Sequence, residues 1–261
     1  MKKLMIGFFS VFFAMQALYG SIAEEYVVYK HGGTELEGFL AYDSSIKGKM
    51  PVVIIVHQWM GLSENEKMRA RMFASLGYAA FAADIYGKGI RPQNRDEASK
   101  QAGIYRADRK LFRERVRAAA DKARGYRFVD RAKAAAVGYC FGGTAVLELA
   151  RSGYDLGAVV SFHGNIDTPE PENTGSIKAK VLVHNGALDR AVSSEHIAGF
   201  EEEMNKAKAD WHFINYSGAV HSFTQKEAGS DITTNSAYNE NADRRSWEYT
   251  KIFLEESFTR R

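Results

Sequence analysis

The stretch KAAAVGYCFGGTAVLELA, residues 133–150, decides the fold of this chain. Its first half is a short apolar run typical of a buried strand, and its second half has the composition of a buried helix. Between the two halves, Cys140 has Gly138 two residues before it and Gly142 two residues after it. G-x-C-x-G between a strand and a helix predicts a nucleophile elbow, whose turn is too tight for a side chain at either glycine. The alternative is a turn in which the glycines serve packing alone.

Strands and helices alternate along the rest of the chain. Short apolar or β-branched runs predict eight strands, at residues 26–30, 36–42, 51–57, 78–84, 133–139, 156–163, 179–185 and 210–216. Helical periodicity predicts helices at residues 64–76, 107–124, 141–152, 193–208 and 239–257. A GGTE turn joins the first two strands and predicts an antiparallel start, whereas the later alternation predicts a mostly parallel sheet with helices on both faces. The polar region 86–106 is expected to be irregular and to lie over the edge of the sheet.

The composition is that of a globular protein and does not favour a nucleic-acid partner. The 261 residues include 35 Lys and Arg against 32 Asp and Glu, a formal charge of +3, and 45% of them are hydrophobic. Basic and acidic residues are interleaved, which argues against a nucleic-acid surface. With only 4 prolines there is no proline-rich hinge, so we expect residues 24–261 to form one domain.

The N-terminus has the features of a secretory signal peptide, predicted over residues 1–23. Two lysines precede an apolar run over residues 4–18. The small residues Ser21 and Ala23 then suit positions −3 and −1 of a cleavage site. The alternative is an uncleaved membrane anchor, although the run is short for a span of about 20 residues. We therefore expect export to the periplasm or the medium, and no membrane association after cleavage.

Cys140 is the single cysteine of the chain, so an intrachain disulfide is excluded. Such a thiol is either inert and buried or chemically active. A nucleophile needs a base and an orienting acid, which α/β-hydrolases supply in the chain order nucleophile, acid, histidine. Asp189 and His221 follow two successive predicted strands, where functional residues of such sheets concentrate. Asp167 lies farther past its strand, and Asp84 precedes the cysteine and is interpreted as a structural loop residue.

Five segments of the chain resemble the dienelactone hydrolase family: VGYCFGG, HNGALD, GAVHSF, VVIIVHQWMG and LGYAAFAADIYGKG. The resemblance extends over about residues 35–258. It implies an α/β-hydrolase fold and hydrolysis of a small-molecule ester or lactone.

The resemblance also implies the roles of five residues. It places a Cys-His-Asp catalytic triad on Cys140, His221 and Asp189. It places the oxyanion hole on the backbone N–H groups of Trp59 and Phe141, and each such donor lowers the barrier by about 3 kcal/mol.

Two residues depart from the family pattern and are candidate residues of the substrate pocket. Gln58 stands where the family usually has a glutamate that holds the thiol until substrate arrives. Gln225 stands where the family has an arginine that binds a substrate carboxylate. We therefore expect neutral esters or lactones to be favoured, unless a cation such as Arg95 or Arg106 replaces the missing arginine.

The remaining histidines do not predict a metal site. His57, His163 and His184 each close a predicted strand and could in principle meet His221 as metal ligands. Their spacing matches no metal-binding motif, so no metal and no other cofactor is expected. His57 is interpreted as shaping the oxyanion loop by hydrogen bonding.

The sequence favours a thiol-dependent hydrolase that acts on an ester or a lactone. One alternative keeps the same triad but cleaves another acyl bond, in a peptide or a thioester. A second alternative is a non-catalytic binding module on a hydrolase scaffold, which would have no need of all three triad residues.

Protein expressed in an exporting host should begin at or near Glu24, because Ser21 and Ala23 provide the cleavage site. N-terminal sequencing of the purified protein measures this. Recovery of an intact Met1 end on protein held in the cytosol would contradict the prediction.

Overall fold

The computed structural model describes residues 21–169 and 177–259. The signal peptide predicted over residues 1–23 lies outside this part of the chain, apart from its last three positions. Of these three, Ile22 and Ala23 begin the first strand.

A mixed sheet forms the centre of the described structure. Its strands are β1 (Ile22–His31), β2 (Thr34–Asp43), β3 (Met50–Val56), β4 (Ala79–Ala83), β5 (Val129–Tyr139), β6 (Ala158–Phe162), β7 (Lys180–Gly186) and β8 (Trp211–Tyr216). They form one 8-stranded sheet in the order β1-β2-β4-β3-β5-β6-β7-β8. β2 is antiparallel to β1 and to β4, and all later neighbours are parallel. The predicted antiparallel start and mostly parallel eight-stranded sheet are confirmed.

Helices follow β3, β4, β5, β7 and β8 along the chain. Those within the described residues are α1 (Glu64–Ala74), α2 (Arg95–Ala107), α3 (Arg109–Arg124), α4 (Phe141–Arg151), α5 (Ser194–Lys206) and α6 (Glu240–Thr259). Two short 3-10 helices, Lys226–Ala228 and Ile232–Thr234, follow β8. None of the helices in the described residues combines the length and the apolar character needed to cross a membrane.

The helices cover both faces of the sheet, as predicted. Successive residues of β3 point to opposite faces, so this strand contributes to two separate cores. Val52, Ile54 and Val56 belong to the core that also contains side chains of α2, α3, α4 and α5. Val53 and Ile55 belong to the core shared with α1 and α6. All five side chains are fully buried, and burial stabilises each by about 1.5–3 kcal/mol relative to exposure.

The prediction that the region 86–106 is irregular was wrong for its second half, which forms helix α2. The side-chain oxygen of Asn94 accepts a hydrogen bond from the backbone N–H of Glu97 at 2.9 Å and caps the helix. The side chains of Ala98, Ala102 and Tyr105 form a narrow buried stripe on one face of the helix. The mostly polar composition obscured this stripe in the sequence.

Helix α2 lies over the carboxyl ends of the strands and not over the outer edge of the sheet. The hydroxyl of Tyr105 donates a hydrogen bond to the carbonyl of Ile85, just beyond β4, at 2.8 Å. The same ring packs edge to face on Phe141, with the ring centroids 6.0 Å apart. Phe141 is the first residue of α4, so this contact places α2 beside the predicted elbow.

His184 is a fully buried and neutral histidine in β7. The hydroxyl of Tyr216 lies 2.9 Å from Nδ1 and the hydroxyl oxygen of Thr250 lies 3.0 Å from Nε2. Thr250 donates its hydroxyl proton to the carbonyl of Ser246, so its oxygen accepts a hydrogen bond from Nε2–H of His184. Nδ1 of His184 is therefore unprotonated and accepts from the hydroxyl of Tyr216. Burial lowers the pKa of His184 from 6.5 to about 3.

Acidification should destabilise the folded state between about pH 6.5 and pH 3, because the unfolded chain then binds a proton at His184 that the folded chain does not. Through His184, the free energy of unfolding falls by about 1.4 kcal/mol per pH unit, and by about 5 kcal/mol over the whole range. Urea unfolding at pH 7 and pH 4.5 measures this fall in the free energy of unfolding. His184→Gln retains a donor and an acceptor without titrating, so its free energy of unfolding should fall less. An equal fall in both proteins would contradict the assignment.

Candidate active site

The turn after β5 has the geometry of a nucleophile elbow. Cys140 has a φ of 55° and a ψ of −115°, a strained conformation for a residue with a side chain. A β-carbon on Gly138 would lie 1.9 Å from the carbonyl oxygen of Gly142. A β-carbon on Gly142 would lie 2.2 Å from the carbonyl oxygen of Val56. Backbone atoms cannot yield as the end of a flexible side chain can, so both positions require glycine.

The structure brings Cys140, His221 and Asp189 together at the carboxyl ends of the strands. Sγ of Cys140 lies 3.1 Å from Nε2 of His221. Nδ1 of His221 lies 2.8 Å from Oδ2 of Asp189. The three residues come from the ends of β5, β8 and β7, and they form one continuous chain of hydrogen bonds.

The electrostatics of this chain favour a thiolate and an imidazolium. Burial alone would raise the pKa of the Cys140 thiol, but the charge of His221, the hydrogen bond to it and the backbone N–H of Phe141 together lower that pKa. Burial alone would lower the pKa of His221, but the Cys140 thiolate and Asp189 raise it to about 10. Because Cys140 precedes the first turn of α4, the positive end of the helix dipole favours the thiolate as well.

Asp189 is ionised because its buried carboxylate accepts several hydrogen bonds. Its Oδ2 faces His221, whereas its Oδ1 accepts from the backbone N–H of Ala191 at 2.9 Å and from the side-chain amide of Asn235 at 3.1 Å. Burial would raise the pKa of Asp189, but His221 and the other two donors lower it below its usual value. A charged carboxylate at this position stabilises the protonated ring of His221.

The loop after β3 is held in place by hydrogen bonds from two buried aromatic residues. The backbone N–H of Ile85 points to Nε2 of His57, so Nδ1 carries the proton and donates to the carbonyl of Gln58 at 2.5 Å. The hydroxyl of Tyr86 donates to the carbonyl of Trp59 at 2.9 Å. These bonds fix the backbone of Trp59 beside Cys140, and His57 has the shaping role that its position in the sequence suggested.

A cavity of about 360 Å³ opens above Cys140. Its lining comprises Trp59, Arg95, Arg106, Cys140, Phe141, Thr144, Asn165, Ala191, His221, Ser222, Thr234, Asn235 and Ser236. The guanidinium of Arg95 lies 5.8 Å from the centre of the Trp59 ring, a cation–π contact. The two arginines project from opposite ends of α2, the helix that the sequence did not reveal.

Gln58 and Gln225 are not among the residues that line this cavity within the described part of the chain. The backbone N–H of Gln225 closes a turn by donating to the carbonyl of Ser222 at 2.9 Å, and its side-chain nitrogen is buried. Motif spacing identified these two positions but could not show which way the side chains point.

The other histidines and Asp84 have structural partners. His163 packs edge to face on His221, with the ring centroids 5.2 Å apart, and its Nε2 lies 2.8 Å from the hydroxyl of Thr224. Burial and the charge of His221 hold the pKa of His163 well below its usual value. The carboxylate of Asp84 accepts hydrogen bonds from three backbone N–H groups, one in β2 and two in the loop after β4. Within residues 21–169 and 177–259, no group of three or more His, Cys, Asp or Glu side chains is arranged so that it could hold a metal ion.

Asn235 is a site residue that the sequence did not indicate. It lies in the loop after the second 3-10 helix, far from any predicted strand end. No motif marks this loop, so the sequence offered no signal for it.

A fold of this kind, with a thiol, a carboxylate and an imidazole in this chain order at the strand ends, defines an α/β-hydrolase. The family model of the dienelactone hydrolase family matches residues 36–258. The chain therefore belongs to the dienelactone hydrolase family, and it is a hydrolase of ester or lactone bonds with small-molecule substrates.

Individual relatives agree with this assignment. The solved structure named m3DLH is 36% identical, with a TM-score of 0.88, and the match covers 91% of this chain and 99% of that chain. The dienelactone hydrolase-like promiscuous phosphotriesterase P91, from metagenomic libraries, is also 36% identical, with a TM-score of 0.86 and the same two coverages. The protein usf of Aquifex pyrophilus is 27% identical over 240 residues, which are 89% of this chain and 98% of that protein.

Proposed function

We propose that the protein hydrolyses esters or lactones through a thiol nucleophile, with Cys140, His221 and Asp189 as a catalytic triad. The observation that carries this proposal is the unbroken chain of contacts from Sγ of Cys140 to the carboxylate of Asp189, at 3.1 Å and 2.8 Å. The lowered pKa of the Cys140 thiol supports it, because the thiolate is the reactive form of cysteine.

In the first half of the reaction, the Cys140 thiolate attacks the carbonyl carbon and forms a C–S bond. The carbonyl oxygen becomes an oxyanion, which the backbone N–H groups of Trp59 and Phe141 stabilise. The ester C–O bond then breaks, and His221 gives its proton to the departing alkoxide. For a lactone the alcohol stays attached to the acyl group.

In the second half, His221 removes a proton from water, and the resulting hydroxide attacks the thioester carbon. The C–S bond breaks, the carboxylic acid leaves and the thiolate–imidazolium pair is restored. Asp189 keeps the ring of His221 in the required tautomer and orientation throughout. No cofactor is needed in this sequence of steps.

Phosphotriesters are a second candidate substrate class. The support is the relative P91, which is named as a promiscuous phosphotriesterase and is 36% identical across 91% of this chain. A panel of chromogenic esters, lactones, thioesters, peptides and phosphotriesters, assayed with the purified protein, ranks these classes. Activity on none of them would favour the non-catalytic binding module.

The proposal includes action outside the cytoplasm. Its support is the signal-like pattern of residues 1–23 in the sequence.

The substrate is expected to carry a negative charge. The sequence favoured neutral substrates on account of Gln225, unless Arg95 or Arg106 supplied a cation. Both arginines line the cavity, whereas Gln225 does not. A guanidinium binds a carboxylate through two charge-assisted hydrogen bonds, so either arginine can replace the contact that Gln225 lacks.

Cys140→Ala, His221→Ala and Asp189→Asn should each lower kcat/KM by about 10³-fold or more, with little change in thermal stability. The double variant Cys140→Ala/His221→Ala should be hardly worse than either single one, because triad members act as a unit. Asp167→Asn is the matched control, since Asp167 also follows a strand, and it should retain activity. Additive losses in the double variant, or full activity in Cys140→Ala, would contradict the proposed mechanism.

Arg95→Gln and Arg106→Gln should each lower kcat/KM for a carboxylated ester by about tenfold to a hundredfold, and more at low salt. The measurement is the ratio of kcat/KM for matched carboxylated and neutral esters. This ratio cancels any effect of Arg106 on the thiol, whose pKa it helps to lower. Gln225→Arg should change the ratio little. A tenfold preference of the unmodified enzyme for the neutral ester would overturn the role of the arginines.

A further inference from the structure

The loop from Asp231 to Ser236 connects the loops that carry the acid and the histidine of the site. On one side, Ser236 pairs with His221 in a parallel β-bridge. On the other side, the guanidinium of Arg190 donates to the carbonyl of Thr233 at 2.8 Å. The loop thus contacts the segments after both β7 and β8.

Asn235 uses both ends of its side-chain amide in this connection. Its Oδ1 accepts from the backbone N–H of Arg190 at 2.9 Å, and its Nδ2 donates to Oδ1 of Asp189 at 3.1 Å. Its φ of 62° and ψ of 13° lie in the left-handed region, which asparagine tolerates better than most residues. The residue also lines the cavity above Cys140.

The side chain of Asp189 is fully buried. Its carboxylate therefore relies on hydrogen bonds from the few protein donors next to it. His221 is the titratable group that faces it, on Oδ2, and the guanidinium of Arg190 points away to the carbonyl of Thr233. On Oδ1, the backbone N–H of Ala191 is a local donor two residues along the chain. Asn235 is the donor that ties this oxygen to a distant segment.

We propose that Asn235 is a positioning residue of the active site, which holds the Asp189 carboxylate ionised and turned toward His221. The inference rests on the proposed function, since it concerns the same triad. Asn235 acts through Asp189, to which its Nδ2 donates a hydrogen bond.

Loss of the Asn235 amide should alter the ionisation of the Cys140 thiol indirectly, in two steps. A buried carboxylate with one donor fewer is less stable in its charged form. A less stable carboxylate supports the His221 imidazolium less well, and the imidazolium stabilises the Cys140 thiolate. The thiol should therefore ionise at higher pH.

The pH at which the Cys140 thiol ionises can be measured without a substrate. The protein is alkylated with iodoacetamide at a series of pH values, and mass spectrometry gives the extent of alkylation. Cys140 is the single cysteine of the chain, so the signal has one source. Asn235→Gly removes the amide and keeps the left-handed backbone accessible. Asn235→Asp retains the shape of the side chain and places a second carboxylate against Asp189. Asn241→Ala is the matched control, because Asn241 is an exposed asparagine of α6 that does not line the cavity.

In Asn235→Gly the midpoint of the alkylation curve should rise by about half a pH unit or more, and kcat for ester hydrolysis should fall about tenfold while KM changes less than about threefold. Asn235→Asp should shift the midpoint further, because like charges oppose ionisation. Asn241→Ala should leave the midpoint in place. Circular dichroism shows whether each variant folds. Where one Asn235 variant does not fold, the alkylation midpoint of the other tests the inference.

An unchanged midpoint in the folded Asn235 variants would overturn the inference, as would a change in KM alone. Full activity in Cys140→Ala would instead refute the proposed function. The two failures are therefore distinguishable.

Discussion

The close approach of the elbow to the end of β3 is the constraint on which the site depends. The backbone of Gly142 lies so near the carbonyl of Val56 that there is no room for a β-carbon. This approach forces Cys140 into its strained conformation and places the N–H of Phe141 beside the sulfur. The N–H of Cys140 itself donates to the carbonyl of Phe162 at 2.9 Å, so β6 holds the turn from the other side. The strain is sustained because strands on both sides of β5 fix the turn.

A cluster of packed aromatic rings connects the elbow to the other walls of the cavity. Phe141 packs against Tyr86, Tyr105 and Phe112, with ring centroids 4.5–6.0 Å apart. Tyr86 in turn holds the carbonyl of Trp59. The two backbone N–H groups proposed to form the oxyanion hole and the helix that carries the arginines are therefore parts of one packed unit. Such preorganisation is what makes fixed donors effective in catalysis.

The sequence predicted the central elements because their signals are local. Eight apolar runs gave the strands, and the strained elbow left a glycine pattern around Cys140. Asp189 and His221 could be placed because parallel strands bring their ends to one edge. Helix α2 was missed since its buried stripe is narrow and its surroundings are polar. Asn235 left no local signal, because a loop distant in sequence determines its contact with Asp189. The direction of the Gln58 and Gln225 side chains likewise depends on tertiary packing.

The length of helix α2 also fixes the distance between Arg95 and Arg106. Arg95 and Arg106 are eleven residues apart, which is close to three full turns, so they lie on one side of the helix and about 16 Å apart along its axis. In the proposed reaction, the acyl part and the alcohol part of the substrate extend in different directions from the carbonyl carbon that Cys140 attacks. Under the proposed role of the two arginines, one of them binds a charge on the acid part and the other a charge on the alcohol part. In that proposal the length of the helix determines how far from the cleaved bond a substrate can carry its charge.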